Sequence, residues 1–106
     1  IDLTGPFAVL SRLPNATVEL LGKTTAPIRD YRGLGLIPDA KLADAGEIDL
    51  LVVPGGPGQE DLMQDEAVLK CISERAAAAA CVFSVCTGAL VCGAAGLLKG
   101  KRATTH

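Results

Sequence analysis

The chain has 106 residues, of which 49% are apolar and 21% charged, and its 10 basic and 12 acidic side chains give a net charge of −2. This balance excludes intrinsic disorder, which requires low hydrophobicity and high net charge, and it leaves no basic excess for binding nucleic acid through this segment. The longest uninterrupted apolar run, Ala76–Phe83, is much shorter than the roughly 20 residues that cross a bilayer, so no membrane partner is expected.

The amino-terminal half predicts one helix followed by short extended segments. The helix begins at Asp2, has Pro6 in its first turn and continues to Leu13, because Pro14 cannot extend it. Strand-forming residues and turn signals then predict three further elements. These are a strand at Thr17–Leu21, a small hairpin or paired edge segments within Pro27–Ala40, and one helical turn at Leu42–Asp44.

The second half predicts two strand–helix units. The run Leu50–Val53 is apolar without alternation, which is typical of a parallel strand buried on both faces. The expected elements are strands at Ile48–Val53 and Cys81–Val85, helices at Asp65–Ala78 and Thr87–Ala95, a turn at Leu97–Gly100 and the beginning of another strand at Lys101–His106. Strands that alternate with helices indicate an α/β domain with a mainly parallel sheet, whose ligands bind beyond the carboxyl ends of the strands.

Four cysteines stand at positions 71, 81, 86 and 92. They contain no C-x-x-C pair, and the chain has a single histidine, so a zinc site is not expected. The absence of a visible secretion signal, together with α/β patterning, predicts free thiols in a reducing compartment, hence a cytoplasmic location. We interpret Cys71, Cys81 and Cys92 as small buried hydrophobic residues.

Cys86 differs because it stands where the second buried strand runs directly into a helix. This is the sequence pattern of a nucleophile elbow, a tight turn that lifts a nucleophile above the sheet. Gly88 fits the pattern, since a side chain two residues past the nucleophile would collide with the strand. We expect Cys86 to lie at a helix amino terminus, a position that favours a reactive cysteine. We expect the N–H of Thr87 and an N–H of the Gly55–Gly56 turn to hold a developing negative charge.

A cysteine nucleophile needs a proton-transfer partner, and the residues leave two candidates open. His106 is the only histidine, and it either pairs with Cys86 or caps the end of a strand. Asp2 either transfers protons or acts as the N-cap of the first helix. Glu60 and Asp61 follow the glycine turn and are interpreted as partners of a helix dipole.

Three segments, Pro54–Gly56, Ser84–Gly88 and Ala94–His106, resemble the ThiJ/PfpI superfamily, and the resemblance covers essentially the whole chain. It implies a flavodoxin-like three-layer α/β sandwich with a mainly parallel sheet, and a homodimer. Residues 1–106 are expected to form a single domain of this type that is truncated at both ends. In the family a strand precedes the position of Ile1, and another strand begins near His106.

Within the superfamily the chain resembles the isocyanide hydratases. Many superfamily members have a glutamate beside the elbow cysteine, whereas isocyanide hydratases have an aspartate in a motif like Ile1–Pro6. The resemblance implies a lyase that hydrates an isocyanide to an N-substituted formamide without a metal or organic cofactor. The resemblance implies three catalytic residues, which are Cys86 as nucleophile, Asp2 as general acid and base, and Thr87. It also implies that Gly55 and Gly56 supply backbone N–H donors and that His106 and Gly88 support the site.

The sequence is also compatible with other functions. A glyoxalase- or deglycase-like cysteine enzyme of the same superfamily would act on reactive carbonyls such as methylglyoxal, although Asp2 in place of glutamate counts against it. A ligand-sensing domain of an AraC-type transcription regulator would be followed by a basic helical segment beyond His106. In a redox-sensing or chaperone-like protein, Cys86 would be oxidised instead of catalytic.

Overall fold

The alternation of strands and helices predicted from the sequence is present in the structure. The computed structural model describes all 106 residues. They group into two units, one of residues 3–45 with Ile1 and one of residues 46–106 with Asp2. Two of the three strand pairs are parallel and one is antiparallel, which confirms the mixed α/β class with parallel pairing. The single domain truncated at both ends stays a prediction.

The first unit contains one helix and two short strand pairs. Its elements are α1 (Thr4–Leu10), β1 (Leu21–Gly22), β2 (Ile28–Arg29), β3 (Gly35–Leu36), β4 (Ala40–Lys41) and a 3-10 turn (Leu42–Asp44). β1 pairs with β4 in parallel, and β2 pairs with β3 as an antiparallel hairpin. The predicted hairpin and the single helical turn are therefore confirmed.

The strand predicted at Thr17–Leu21 is wrong over most of its length, because β1 begins only at Leu21. Pairing starts at Leu20, whose N–H donates to the Asp39 carboxylate at 2.7 Å and whose carbonyl accepts the Asp39 N–H at 2.7 Å. The three residues before Leu20 have no neighbouring strand. A high strand propensity does not form a strand when the partner is missing.

The second unit contains two strand–helix units around one parallel strand pair. Its elements are β5 (Leu50–Val53), α2 (Gln59–Met63), α3 (Glu66–Ala78), β6 (Cys81–Ser84) and α4 (Gly88–Ala94). Asp65 caps α3, since its side chain accepts the N–H of Val68 at 3.3 Å. α2 was not predicted, although Glu60 and Asp61 occupy its first turn. None of the helices is long and apolar enough to cross a membrane.

One face of the β5–β6 pair is covered by helices. Leu51 lies opposite Val82 and Val53 lies opposite Ser84, so these four side chains share a face. Val82 and Ser84 border a depression of about 410 Å³ whose remaining walls come from α3, α4 and the turn after α4. Leu51 and Val53 are each 7% exposed, because the helices lie on this side.

The opposite face of the β5–β6 pair is exposed to solvent, so the prediction that these strands are buried on both faces is wrong. Leu50 is 38% and Phe83 is 47% exposed. Cys81 shares this face and is exposed, which corrects its interpretation as a buried hydrophobic residue. The physical reason is that α3 and α4 both lie on the other side. Only Cys92 is fully buried among the cysteines, and Cys71 is half-buried.

The chain after α4 turns but does not begin a strand. Gly96 adopts a φ of +82°, a conformation suited to glycine, directly after the Ala95 that ends the helix. The predicted turn at 97–100 is present. Residues 101–106 are exposed and have no strand partner, so the strand expected there is not formed.

Candidate active site

Two turns lie side by side at the carboxyl edge of the β5–β6 pair. Because the strands are parallel and Val53 lies opposite Ser84, both chains leave the sheet at the same edge. The N–H of Val85 donates to the carbonyl of Val53 at 3.0 Å and extends the pairing by one residue. The turn that contains Gly55 and Gly56 therefore lies next to the turn that contains Cys86.

Cys86 has a left-handed backbone conformation, with a φ of +53°. This region costs a non-glycine residue about 1–2 kcal/mol, so it persists only where the surrounding structure enforces it. On either side of Cys86 the turn is closed by two bonds, from the Gly88 N–H to the Val85 carbonyl at 2.9 Å and from the Ala89 N–H to the Cys86 carbonyl at 3.3 Å. The residue is half-buried.

Gly88 allows α4 to begin directly against the end of β5. A Cβ atom at this position would overlap the carbonyl oxygen of Val53 and would lie 2.9 Å from the Val53 carbonyl carbon and 3.0 Å from that of Pro54. The neighbouring strand, and not the strand that leads into the elbow, is therefore what excludes a side chain. Gly88 is buried at this contact.

Thr87 connects the two turns through its side chain. Its Oγ1 accepts the N–H of Gly56 at 3.0 Å. A Cβ atom on Gly55 would lie 2.5 Å from this Oγ1 and 2.7 Å from the Thr87 nitrogen, so a residue with a side chain does not fit there. The Gly56 N–H is thus engaged in holding Thr87, which differs from the free donor expected from the sequence.

The N–H of Thr87 takes no part in the backbone hydrogen bonds that close the turn. The next three amides, those of Gly88, Ala89 and Leu90, donate to the carbonyls of residues 85, 86 and 87. The Thr87 N–H has no acceptor within the chain. A free amide directly after a residue in the left-handed conformation is the kind of donor that stabilises negative charge in nucleophile elbows.

Asp2 is not a helix cap. α1 begins at Thr4, its N-cap position is Leu3, and no side chain accepts a hydrogen bond there, so the capping interpretation is wrong. Asp2 is half-buried and groups with the unit that contains Cys86, whereas Ile1 and Leu3 group with the other unit. No hydrogen bond joins Asp2 to Cys86 in this structure.

The hydrogen bond from this end of the chain to the elbow comes from Thr105 and not from His106. His106 is exposed and forms no hydrogen bond, whereas the Thr105 hydroxyl donates to the Cys86 carbonyl at 2.9 Å. Sequence reasoning missed Thr105. Its position 19 residues after Cys86 gives no local signal, and only its place within the Ala94–His106 segment that resembles the superfamily could have indicated it.

Cys92 is chemically distinct from the elbow cysteine. Burial raises the pKa of its thiol, because a thiolate would lose its hydration there, and the side chain is 1% exposed. Cys92 is therefore a buried thiol, whereas Cys86 is half-buried. Among the four free cysteines, Cys86 alone lies at the carboxyl edge of the strand pair.

Comparison with known proteins identifies the family of the chain. Residues 1–106 match the DJ-1/PfpI family. The chain is 51% identical over 106 residues to an isonitrile hydratase of Pseudomonas putida, covering all of this chain and 46% of that protein. It is 39% identical over 113 residues to an uncharacterized protein in the cpoL 5′ region of Streptomyces lividans, covering all of this chain and 78% of that protein.

A solved structure supports the same relationship. A ThiJ/PfpI family protein from Pseudomonas syringae superposes with a TM-score of 0.94 at 36% identity, covering 99% of this chain and 44% of that one. The chain thus spans about half the length of this protein and of the isonitrile hydratase. Because the match extends over its entire length and includes both turns at the carboxyl edge of β5 and β6, the chain belongs to the DJ-1/PfpI family.

Proposed function

We propose that this chain carries the reactive cysteine of an isocyanide hydratase, which converts an isocyanide R–N≡C and water to the formamide R–NH–CHO. The observation that carries the proposal is the left-handed, half-buried Cys86, which is followed by the unpaired N–H of Thr87. The substrate class is supported by the 51% identity to an isonitrile hydratase.

In the first step the Cys86 thiolate attacks the terminal carbon of the isocyanide, and a C–S bond forms. The carboxylic acid of Asp2 delivers its proton to the same carbon, which gives the thioimidate R–N=CH–S and leaves Asp2 as a carboxylate. The Thr87 N–H stabilises negative charge that develops on the substrate as sulfur adds. Covalent attachment divides a difficult hydration into two easier additions.

In the second step water adds to the thioimidate carbon. The Asp2 carboxylate takes one proton from this water, which restores the acid. The proton of the new hydroxyl group passes to nitrogen as the C=O bond forms and the C–S bond breaks, so thiolate and formamide are released. One aspartate therefore acts first as acid and then as base, and no cofactor takes part.

The assignment of Asp2 depends on its position at the start of the chain. It is half-buried, does not cap α1, and groups with the unit of Cys86 although its chain neighbours do not. These features support a role for Asp2 in the unit that contains the elbow. An aspartate at this position also agrees with the aspartate of the isocyanide hydratases and disagrees with the glutamate of glyoxalase-like members.

Replacement of Cys86 tests the proposal. Cys86→Ala is expected to lower kcat/KM for hydration of an aryl isocyanide by at least about 10³-fold, because the covalent route is lost. Cys81→Ala is the matched control, since it removes an exposed thiol of the same unit and should leave the rate within about twofold. Formamide is measured by liquid chromatography. Intact-mass analysis during turnover should show one isocyanide adduct, and peptide mapping should locate it on Cys86.

Two results would overturn the proposal. Formamide production at an undiminished rate by Cys86→Ala would exclude the cysteine mechanism. Turnover of methylglyoxal without any turnover of isocyanides would assign the protein to the glyoxalase-like enzymes of the same superfamily instead. If the proposal is correct, Asp2→Asn abolishes most turnover and leaves free thiol at Cys86 that still reacts with iodoacetamide.

A further inference from the structure

The elbow receives a hydrogen bond from a residue far along the chain. The Thr105 hydroxyl donates to the carbonyl oxygen of Cys86 at 2.9 Å across a separation of 19 residues. The other donor to this oxygen is the N–H of Ala89, at the longer distance of 3.3 Å. A carbonyl oxygen has two lone pairs, so both bonds can form together, and the Thr105 hydroxyl makes the shorter one.

The carbonyl that accepts this bond belongs to the same peptide group as the unpaired N–H of Thr87. The chain has no cis peptide bond, so the Cys86 C=O and the Thr87 N–H point in opposite directions within one plane. A donor that fixes the oxygen therefore fixes the direction of the N–H. It also polarises the peptide group, which makes the N–H a stronger donor.

We propose that Thr105 is a positioning residue of the active site, which acts through the Cys86–Thr87 peptide group and does not touch the substrate. Its hydroxyl holds that peptide so that the Thr87 N–H points to the charge developing on the substrate, and it helps to keep Cys86 in the left-handed region. The catalytic part of this inference rests on the proposed function of Cys86. The structural part, which is the effect of Thr105 on the Cys86–Thr87 peptide group, does not depend on that proposed function.

Thr105→Val tests the structural part, because valine keeps the shape of threonine and lacks the hydroxyl. The 13C resonance of the Cys86 carbonyl should move upfield, since a hydrogen-bonded carbonyl carbon is deshielded. Thr105→Ser should keep the wild-type resonance. Thr104→Val is the matched control, because the neighbouring Thr104 is exposed like Thr105 but makes no hydrogen bond to Cys86, and it too should leave the resonance unchanged. An unchanged resonance in Thr105→Val would overturn the inference whatever the protein catalyses.

Steady-state kinetics test the catalytic part. Thr105→Val should lower kcat for isocyanide hydration about three- to tenfold, which is the effect of losing one net hydrogen bond in the transition state, while KM stays within about twofold. Thr105→Ser should restore kcat, and Thr104→Val should match wild type. An unchanged kcat, or an increase in KM alone, would overturn the positioning role. Failure of the wild-type protein to hydrate any isocyanide would overturn the proposed function instead, and the carbonyl resonance would still decide whether Thr105 holds the elbow.

Discussion

Substitution of Gly88 tests how closely α4 must approach β5. A Cβ atom in Gly88→Ala would overlap the carbonyl oxygen of Val53 and would lie 2.9 and 3.0 Å from two further backbone carbons. All three atoms belong to the backbone at the end of β5, so no flexible side chain can move away. The start of α4 must move away from the end of β5 instead.

The expected effect on stability is a loss of about 1–3 kcal/mol in the free energy of unfolding, the usual range for an overpacked site. Alanine favours helix over glycine by up to about 1 kcal/mol, but this gain is small at the first residue of a helix and does not offset a clash with the backbone. Activity should fall as well, because Cys86 and Thr87 immediately precede the displaced residue.

Urea denaturation of Gly88→Ala and of a matched variant, Gly93→Ala, measures this effect. Gly93 lies in the same helix, and a Cβ atom there would lie 3.7 Å from Cδ1 of Leu98, which is an ordinary contact. Gly93→Ala should therefore keep or raise stability, by up to about 1 kcal/mol. Equal stability of Gly88→Ala and wild type, or an equal loss in both variants, would refute the close approach of α4 to β5.

Two further predictions concern titration and thiol chemistry. Hydrogen bonds from backbone N–H groups, first that of Leu34, hold the pKa of the Asp30 carboxyl below its usual 3.8. Wild type should therefore be more stable than Asp30→Asn at neutral pH, and urea denaturation should show that this difference in stability disappears as pH falls through the lowered pKa. A stability difference that does not change with pH would contradict the prediction. Burial raises the pKa of the Cys92 thiol, whereas Cys81 is exposed. In the native protein iodoacetamide should therefore alkylate Cys81 well before Cys92, which peptide mapping can measure. Faster alkylation of Cys92 would contradict its burial.

The elements that the sequence predicted well are those with complete local signals. β5 has an uninterrupted apolar run, α3 has the capping residue Asp65 at its start, and the elbow combines a strand, Cys86 and Gly88 within a few residues. In each case the information that fixes the conformation lies within one turn or one strand length. The left-handed φ of Cys86 is the structural form of the predicted elbow.

The features that the sequence did not predict depend on partners distant along the chain. The shortness of β1 reflects the point at which Asp39 meets Leu20, and the exposure of Phe83 reflects which side of the strand pair the helices occupy. The engagement of the Gly56 N–H by Thr87 spans 31 residues, and the Thr105 contact has no local signature at all. Residue types restrict these contacts but do not specify them.

The position of Cys86 is determined mainly by other residues. The Val85 N–H is bonded to the carbonyl of Val53, and the Gly56 N–H is bonded to Thr87, so each turn restrains the other. Gly88 lets the helix begin against β5, where any side chain would push it away. The left-handed conformation of Cys86 is thus enforced by the contact between the turn after β5 and the turn after β6. That contact consists of hydrogen bonds to backbone groups and of close packing at glycines, where a side chain would not fit. A substitution at Gly55 or Gly56, in the turn after β5, should therefore change the reactivity of Cys86 although Cys86 itself is unaltered.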